Sequence, residues 1–112
     1  MIRGEIWWVD FGEPFGSEPG WMRPAVIVQS NDFNKSQMHT TIVIPITSNL
    51  RLADFPGNYL LLKTDSKLSK DSVIVTPQIA VIDKMRLIEK ISVLNNFIMN
   101  KISDGIKLLL DL

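Results

Sequence analysis

The sequence predicts an α+β fold in which a β-rich domain ends in one helix. Short runs of β-branched and aromatic residues alternate with turn-forming residues as far as Val93. The adjacent Trp7 and Trp8 point to opposite faces of one strand, so both faces of the sheet must be covered, as in a small barrel. Apolar residues recur at helical spacing only near the C-terminus.

Seven segments have the composition of β-strands. They are Glu5 to Phe11, Ala25 to Val28, Thr40 to Ile46, Asn58 to Lys63, Ser72 to Thr76, Gln78 to Ile82 and Arg86 to Val93. The sixth could instead be a bent extension of the fifth. Pro45 lies near the end of the third strand and has no backbone N–H, which predicts an edge or a bulge there. The stretches between the strands are polar and are predicted to be loops.

The last segment predicts a helix that begins after Asn95, a plausible N-cap. Its apolar face consists of Ile98, Ile102, Ile106 and Leu109, and we expect this face to pack against the sheet. Gly105 lies inside the helix, where glycine costs about 1 kcal/mol relative to alanine.

Length and composition indicate one domain that spans residues 1–112. Lys+Arg and Asp+Glu both number 12, so a nucleic-acid partner would need a local basic patch. The absence of cysteine excludes disulfides and thiolate metal sites. The N-terminus does not resemble a signal peptide, and no apolar stretch is long enough to span a membrane, so we expect a cytoplasmic protein.

The stretch from Phe15 to Val28 is the first candidate for a functional site. It begins with turn formers and ends in an apolar run, so we expect Arg23 to lie where a flexible loop meets a rigid strand. The planar guanidinium suits a phosphate or a carboxylate. The simpler alternative is that Arg23 anchors the loop through a surface salt bridge.

The chain offers few groups for catalysis. His39, the only histidine, lies in a polar loop where we expect it to be exposed, and the carboxylates have no metal-ligand spacing. What remains is Arg23, the hydroxyls of Ser17, Thr47 and Ser48, the carboxylate of Glu18 and the amide of Gln78. Such a set suits the stabilisation of a charged phosphorane by oriented donors. Because RNA supplies its own nucleophile, the 2′-hydroxyl, RNA transesterification without metal or cofactor is among the few reactions open to it.

Four segments in this order, RGEIWWVDF, GSEPG..RPAVIVQ, IPITSN and DSVIVTPQIAVIDK..L, resemble the MazF/PemK-type endoribonuclease toxins of type II toxin–antitoxin systems. The match runs from about Arg3 into the terminal helix. Each segment alone is weak, but their order and spacing together are specific. The resemblance implies an SH3-like β-barrel of about six to seven mostly antiparallel strands with a C-terminal α-helix, and a homodimer.

The resemblance also implies an activity. The protein would cleave single-stranded RNA, including mRNA, at short sequences by 2′-hydroxyl transesterification, without metal or cofactor, and would thereby inhibit translation and growth. A cognate antitoxin would neutralise it by covering the site with a flexible acidic C-terminal segment. Two alternatives stay open: a toxin of the same fold that binds DNA gyrase and cleaves nothing, and an inactive module that binds RNA or a partner.

The resemblance places the family's catalytic arginine on Arg23 and its strand-end hydroxyl on Thr47. Arg23 would stabilise the pentavalent phosphorane and Thr47 would orient the scissile phosphate. Because the pKa of arginine is too high for a general base, Glu18 is the leading base candidate. The predicted RNA-binding residues are Phe15, Ser17, Ser48 and Gln78. Phe15 could instead pack within the loop, and the amide of Gln78 could be a satisfied group at the sheet edge.

Two departures from the family pattern affect these expectations. Many members carry a basic residue where this chain has Ala80, so a phosphate or interface contact would be missing. Pro19 and Trp21 stand where many members have smaller residues, and they should stiffen the loop. Trp21 could contact the antitoxin or cover the groove as a lid. We expect dimerisation through the strand with Pro45 and the terminal helix.

Overall fold

A computed structural model describes all 112 residues and contains seven β-strands and three α-helices. These are β1 Glu5–Asp10, β2 Met22–Ile27, α1 Asn31–Asn34, β3 Thr40–Thr47, β4 Tyr59–Leu61, α2 Lys63–Ser66, β5 Ser72–Ile74, β6 Ala80–Asp83, β7 Leu87–Val93 and α3 Asn96–Leu110. Short 3-10 turns lie at Leu50–Asp54, Thr76–Gln78 and Lys84–Arg86. The predicted α+β class, with about seven strands and a C-terminal helix, is confirmed.

Every strand pair is antiparallel, as predicted. The strand order is β4-β5-β3-β2-β1-β7, and β6 pairs with β3 as a branch from this path. The sheet is therefore barrel-like but does not close, because β4 and β7 end the order without pairing with each other. The segment after β5 is a separate strand and not an extension, since the turn at Thr76–Gln78 separates β6 from β5.

The prediction that Pro45 marks an edge is wrong, because β3 lies inside the sheet. Pro45 pairs with Ala25 on one side, and its carbonyl accepts a hydrogen bond of 3.0 Å from the Val75 N–H on the other. The N and C=O of a strand residue point to the same side. The missing N–H thus faces the point where β3 changes partner, from β6 at Val43 to β5 at Ile46. Proline is accommodated there because no ladder bond is required.

The core consists of two clusters on opposite faces of the sheet. Alternation along β1 places Ile6 in the larger cluster and Val9 in the smaller one. The larger cluster contains Ile6, Val26, Val28, Ile44, Ile46, Leu61, Ile74, Leu94, Ile98, Met99 and Ile102. The smaller cluster contains Val9, Ala25, Ile27, Val43 and Ile82. Both faces of β1 are therefore covered, as the paired tryptophans predict.

Helix α3 begins as predicted, because the Asn95 side chain accepts a hydrogen bond of 2.9 Å from the Ile98 N–H. Ile98 and Ile102 are buried and Ile106 packs against the larger cluster. Leu109 was expected on the same buried face but is 40% exposed, because the last turn of α3 extends beyond the core. No helix in the fold combines the length and apolarity needed to cross a membrane.

Several predicted loops and bounds differ from the structure. The polar stretch after β2 contains α1, which Ser30 caps by accepting a hydrogen bond from the Asp32 N–H. The helical turn α2 follows β4 where a continued strand and a loop were predicted, and β4 and β5 are shorter than expected. Polar side chains that satisfy the backbone locally favour such turns over strands, and neighbouring residue types alone do not reveal that competition.

Candidate active site

The paired strands β2 and β3 bring Arg23 and Thr47 together. Ala25 is the partner of Pro45 in this antiparallel pair, and extending the register by two residues sets Arg23 opposite Thr47. Both residues are half-buried, and both line a groove of about 380 Å3 at this end of the strands. Arg23 lies where the β1–β2 loop meets the strand, as predicted, but β2 begins at Met22 and not at Ala25, so it includes Arg23. A strand position holds the guanidinium more firmly than a loop would.

The guanidinium of Arg23 has unused donors. Its Nε donates a hydrogen bond of 3.0 Å to the Gly20 carbonyl, and its two terminal nitrogens make no hydrogen bond within the chain. The only ion pair in the structure joins Lys90 to Glu5, so the alternative of a surface salt bridge for Arg23 is wrong. The bond to Gly20 tethers the β1–β2 loop, while the terminal N–H groups are left for an anion.

The hydroxyl of Thr47 is held by a local turn. Its Oγ1 accepts a hydrogen bond of 3.2 Å from the Asn49 N–H, and the Asn49 side chain caps the following 3-10 turn by accepting from the Arg51 N–H. These bonds use Thr47 Oγ1 as an acceptor and leave its proton for donation. The exposed Ser48 lines the same groove.

The groove is basic although the chain as a whole is neutral. Its cations are Arg23 and Lys70, and no acidic residue lines it. The complete lining is Trp8, Met22, Arg23, Pro24, Ile46, Thr47, Ser48, Leu68, Ser69, Lys70 and Ser72. Two cations among hydroxyl groups with no carboxylate form a local basic patch, the feature that a neutral chain needs for a nucleic-acid partner.

A second cavity of about 380 Å3 lies between the β1–β2 loop and the segment before β6. Its lining includes Ser17, Glu18, Gln78 and Ala80, so these predicted residues share a site, but not the groove of Arg23. The side-chain amide of Gln78 makes no hydrogen bond within the chain, so the satisfied-amide alternative is wrong. The amide groups remain available to a ligand.

Two aromatic residues of the β1–β2 loop line neither cavity. Phe15 is 85% exposed, so the alternative that it packs within the loop is wrong. Trp21 has a positive φ of 61° and closes the base of the loop, since its N–H donates a bond of 2.7 Å to the Gly12 carbonyl. Its side chain is 63% exposed and lines neither cavity, so it is no lid in this structure. His39 is exposed, as predicted.

Of the groove residues only Arg23, Thr47 and Ser48 were predicted as site residues, and the polar or aromatic ones that the sequence analysis missed are Trp8, Ser69, Lys70 and Ser72. The position of Trp8 could have been predicted from the sequence. Alternation along β1 places Trp8 on the opposite face from Trp7 and on the same face as Asp10, whose charge indicates that this face contacts solvent. For Lys70 the signal was weak. A polar segment with two lysines is typical of a solvated loop, and only the fold places it beside β2 and β3.

Comparison with known proteins identifies the family. A sequence profile of the PemK-like, MazF-like toxins of type II toxin–antitoxin systems matches residues 2–110. The protein belongs to this family. The resemblance predicted from its motifs is thereby confirmed.

Curated MazF relatives match over the whole chain. An endoribonuclease MazF6 from Mycobacterium tuberculosis strain H37Rv is 37% identical over 112 residues, which is 100% of this chain and 98% of the relative. An endoribonuclease MazF from Staphylococcus saprophyticus is 38% identical over 100% of this chain and 92% of the relative. Both relatives are named as endoribonucleases.

Solved MazF structures share the fold. A crystal structure of MazF from Deinococcus radiodurans superposes with a TM-score of 0.83, covering 100% of this chain and 97% of that one at 19% identity. A mycobacterial endoribonuclease in complex with its cognate antitoxin gives a TM-score of 0.80 at 21% identity, covering 100% and 96%. At these identities the likeness establishes the MazF-like architecture alone.

Proposed function

We propose that this MazF-like protein is an endoribonuclease toxin that cleaves single-stranded RNA, including mRNA, at short sequences without a metal ion. The observation that carries the proposal is that Arg23 and Thr47 line the same basic groove, each with unused hydrogen-bond donors. The curated relatives named above are endoribonucleases that match the chain from end to end. Cleavage of mRNA would stop translation and growth.

The reaction is transesterification. The 2′-oxygen of the RNA loses its proton and forms a bond to phosphorus, the bond from phosphorus to the 5′-oxygen breaks, and the departing 5′-oxygen takes a proton from water. A 2′,3′-cyclic phosphate and a 5′-hydroxyl result. Negative charge builds up on the non-bridging oxygens of the phosphorane. The terminal N–H groups of Arg23 would stabilise this charge, and the hydroxyl of Thr47 would hold the phosphate in line. Donors fixed by β2 and β3 need little reorganisation during the reaction.

The proton of the 2′-hydroxyl needs an acceptor, and Glu18 is our candidate. A guanidinium carries a permanent positive charge and is unsuited to accept a proton. Glu18 is exposed in the second cavity, so the β1–β2 loop has to bring its carboxylate to the groove when RNA binds. The Arg23–Gly20 hydrogen bond already ties this loop to the groove. Phe15, Ser17 and Gln78 would contact bases from the same side.

A protein partner and a second copy of the chain complete the proposal. The mycobacterial endoribonuclease that shares this fold has been solved with its cognate antitoxin, and we propose that an antitoxin with an acidic segment occupies the basic groove here. Leu108, Leu110 and Leu112 at the end of α3 are exposed and support a homodimer through this helix. The strand with Pro45 lies inside the sheet, so it would contribute to a dimer through side chains and not through backbone pairing. With mRNA as substrate, the protein acts in the bacterial cytoplasm.

The test is a cleavage assay on a long single-stranded RNA in EDTA, comparing wild type with Arg23→Ala. Arg51→Ala is the matched control, because Arg51 is exposed and lies outside the groove. We expect discrete fragments from wild type and from the control. Loss of the charge-stabilising donor at Arg23 should reduce the rate by about 10²–10³-fold.

The outcomes separate the competing functions. Intact RNA with wild type, together with toxicity in cells, would favour a gyrase-binding toxin. RNA that is bound but never cut would favour an inactive binding module. Equal cleavage by wild type and Arg23→Ala would remove Arg23 from the active site. Cleavage that appears only after a divalent metal is added would contradict the metal-free mechanism.

A further inference from the structure

We propose that Trp8 and Lys70 form a nucleotide subsite in the groove of Arg23. The ammonium of Lys70 pairs with a second phosphate of the bound RNA strand, and the indole of Trp8 stacks on a base. The inference rests on the proposed ribonuclease function and adds substrate contacts to the same groove. Both side chains line the cavity of about 380 Å3 that contains Arg23 and Thr47.

Lys70 is held in position by its loop while its charge has no partner. Ser72 Oγ donates a hydrogen bond of 3.0 Å to the Lys70 carbonyl. The carboxylate of Asp71 accepts a bond of 2.8 Å from the Lys63 N–H, which fixes the adjacent backbone. The ammonium forms no ion pair in the chain. An ordered backbone with an unpaired cation suits phosphate contact, because little conformational entropy is lost on binding.

The two adjacent tryptophans have different environments. The Nε1–H of Trp7 donates a hydrogen bond of 3.0 Å to Glu5, and its ring packs against the smaller core cluster, so Trp7 is structural. Trp8 makes no side-chain hydrogen bond and is 38% exposed. Pro24 is its cross-strand partner on β2, and both residues line the groove. A partly exposed aromatic side chain beside cations is the arrangement with which proteins bind single-stranded nucleic acid.

The charge pattern favours a polyanion over a small anionic ligand. Arg23 can hold one phosphate, and Lys70 adds a second cation in a groove with no acidic residue. Four hydroxyl groups complete the polar lining, those of Thr47, Ser48, Ser69 and Ser72. A chain with repeated phosphates and bases uses the cations and the aromatic face at once, whereas a single carboxylate or phosphate has no base to stack on Trp8.

The first experiment compares Lys70→Gln with Lys67→Gln. Lys67 is an exposed lysine of the same loop that lies outside the groove. Binding is measured with a pool of single-stranded 2′-O-methyl RNA, which has no free 2′-hydroxyl and resists this reaction. We expect Lys70→Gln to weaken binding about fivefold to tenfold and to reduce the salt slope by about 0.7. Lys67→Gln should match wild type in affinity and in salt slope.

The second experiment compares Trp8→Phe with Trp8→Leu on cleavable RNA. Loss of stacking should raise KM about fivefold or more for Trp8→Leu, with kcat within about twofold of wild type, and Trp8→Phe should restore most of the loss. Far-UV circular dichroism verifies that both variants are folded. A merely structural role for Trp8 would instead lower stability in both variants without this recovery of KM.

The results distinguish this inference from the proposed function. If wild type cleaves RNA in EDTA but Lys70→Gln binds like Lys67→Gln, the subsite is wrong and the ribonuclease proposal stands. If Trp8→Phe raises KM as much as Trp8→Leu does, the proposal that Trp8 stacks on a base is wrong. If wild type neither cleaves nor binds RNA, the proposed function fails, and the subsite fails with it.

Discussion

Arg23 on β2 and Thr47 on β3 lie opposite each other at the end of an antiparallel pair, in the register set by Ala25 and Pro45. Thr47 also pairs with Val73 of β5 on its other side, so it lies in the part of β3 beyond the change of partner from β6 to β5. An arginine with unused terminal donors and a hydroxyl held by its own turn thus face one groove.

Thr47→Val tests the hydroxyl in this pair. Valine keeps the shape of the side chain but cannot donate to phosphate, and a lost hydrogen bond to a charged group should slow RNA cleavage about tenfold to a hundredfold. Thr47→Ser keeps the hydroxyl and should retain most of the activity. Single-turnover cleavage rates measure both variants, and equal rates for valine and wild type would exclude Thr47 from the chemistry.

Glu5 gives a pH-dependent contribution to stability. Burial raises its pKa, but the hydrogen bonds from the Trp7 indole and the Ile2 N–H, together with the bond and charge of Lys90, lower the pKa below its ordinary value of 4.5. The folded state therefore binds this proton less tightly than the unfolded state. The stabilisation is complete above pH 4.5 and is lost as the pH falls through the lowered pKa.

We expect Glu5→Gln to lower the free energy of unfolding by about 1–2 kcal/mol near pH 7, a modest value because Lys90 is half exposed. The difference from wild type should shrink towards about pH 3. Urea unfolding at several pH values measures it. Glu89→Gln, at an exposed glutamate on β7, should leave the pH dependence unchanged. If the free energy of unfolding of Glu5→Gln differed from that of wild type by the same amount at every pH, the lowered pKa of Glu5 would be contradicted.

Gly105 is required by a close contact and not by helix propensity. A Cβ at this position would lie 2.4 Å from the Gly57 carbonyl oxygen, which also accepts a hydrogen bond of 2.6 Å from Thr76 Oγ1. Gly105→Ala should therefore lower stability by about 1–3 kcal/mol, despite a propensity gain of about 1 kcal/mol. Thermal unfolding measures the effect. Asp104→Ala at the exposed neighbouring position should be nearly neutral, and a stabilising Gly105→Ala would mean that the loop moves aside without cost.

If the protein dimerises through the end of α3, charged residues placed there should lower its mass in solution. Leu108 and Leu110 are 63% and 53% exposed. Their joint replacement by Glu should convert a dimer to a monomer, because buried carboxylates without partners are costly. Light scattering after size exclusion gives the mass. Phe33→Glu places a charge on the exposed α1 and should leave the dimer intact. A wild-type monomer, or a double variant that stays dimeric, would reject this interface.

The amino-acid pattern determined the element types wherever a local cause was sufficient. Alternation in β1 predicted two covered faces, and Asn95 followed by Ile98 and Ile102 predicted the start and the buried face of α3. Motif order predicted the MazF-like family, and the same motifs pointed to Arg23 and Thr47. The predictions of β1, of α3 and of the family are confirmed because periodicity, capping and motif order depend on residues that are near each other in the chain or occur in a fixed order.

The tertiary structure decided what depends on distant segments. Pro45 lies inside the sheet because β3 changes partner there, and neither β5 nor β6 can be read from the residues around it. Lys70 belongs to the groove because the loop before β5 returns to the ends of β2 and β3. Glu18 and Arg23 are close in sequence yet line different cavities, since the loop folds towards Gln78. Sequence fixes local conformation, whereas packing of the strands determines which side chains share a site.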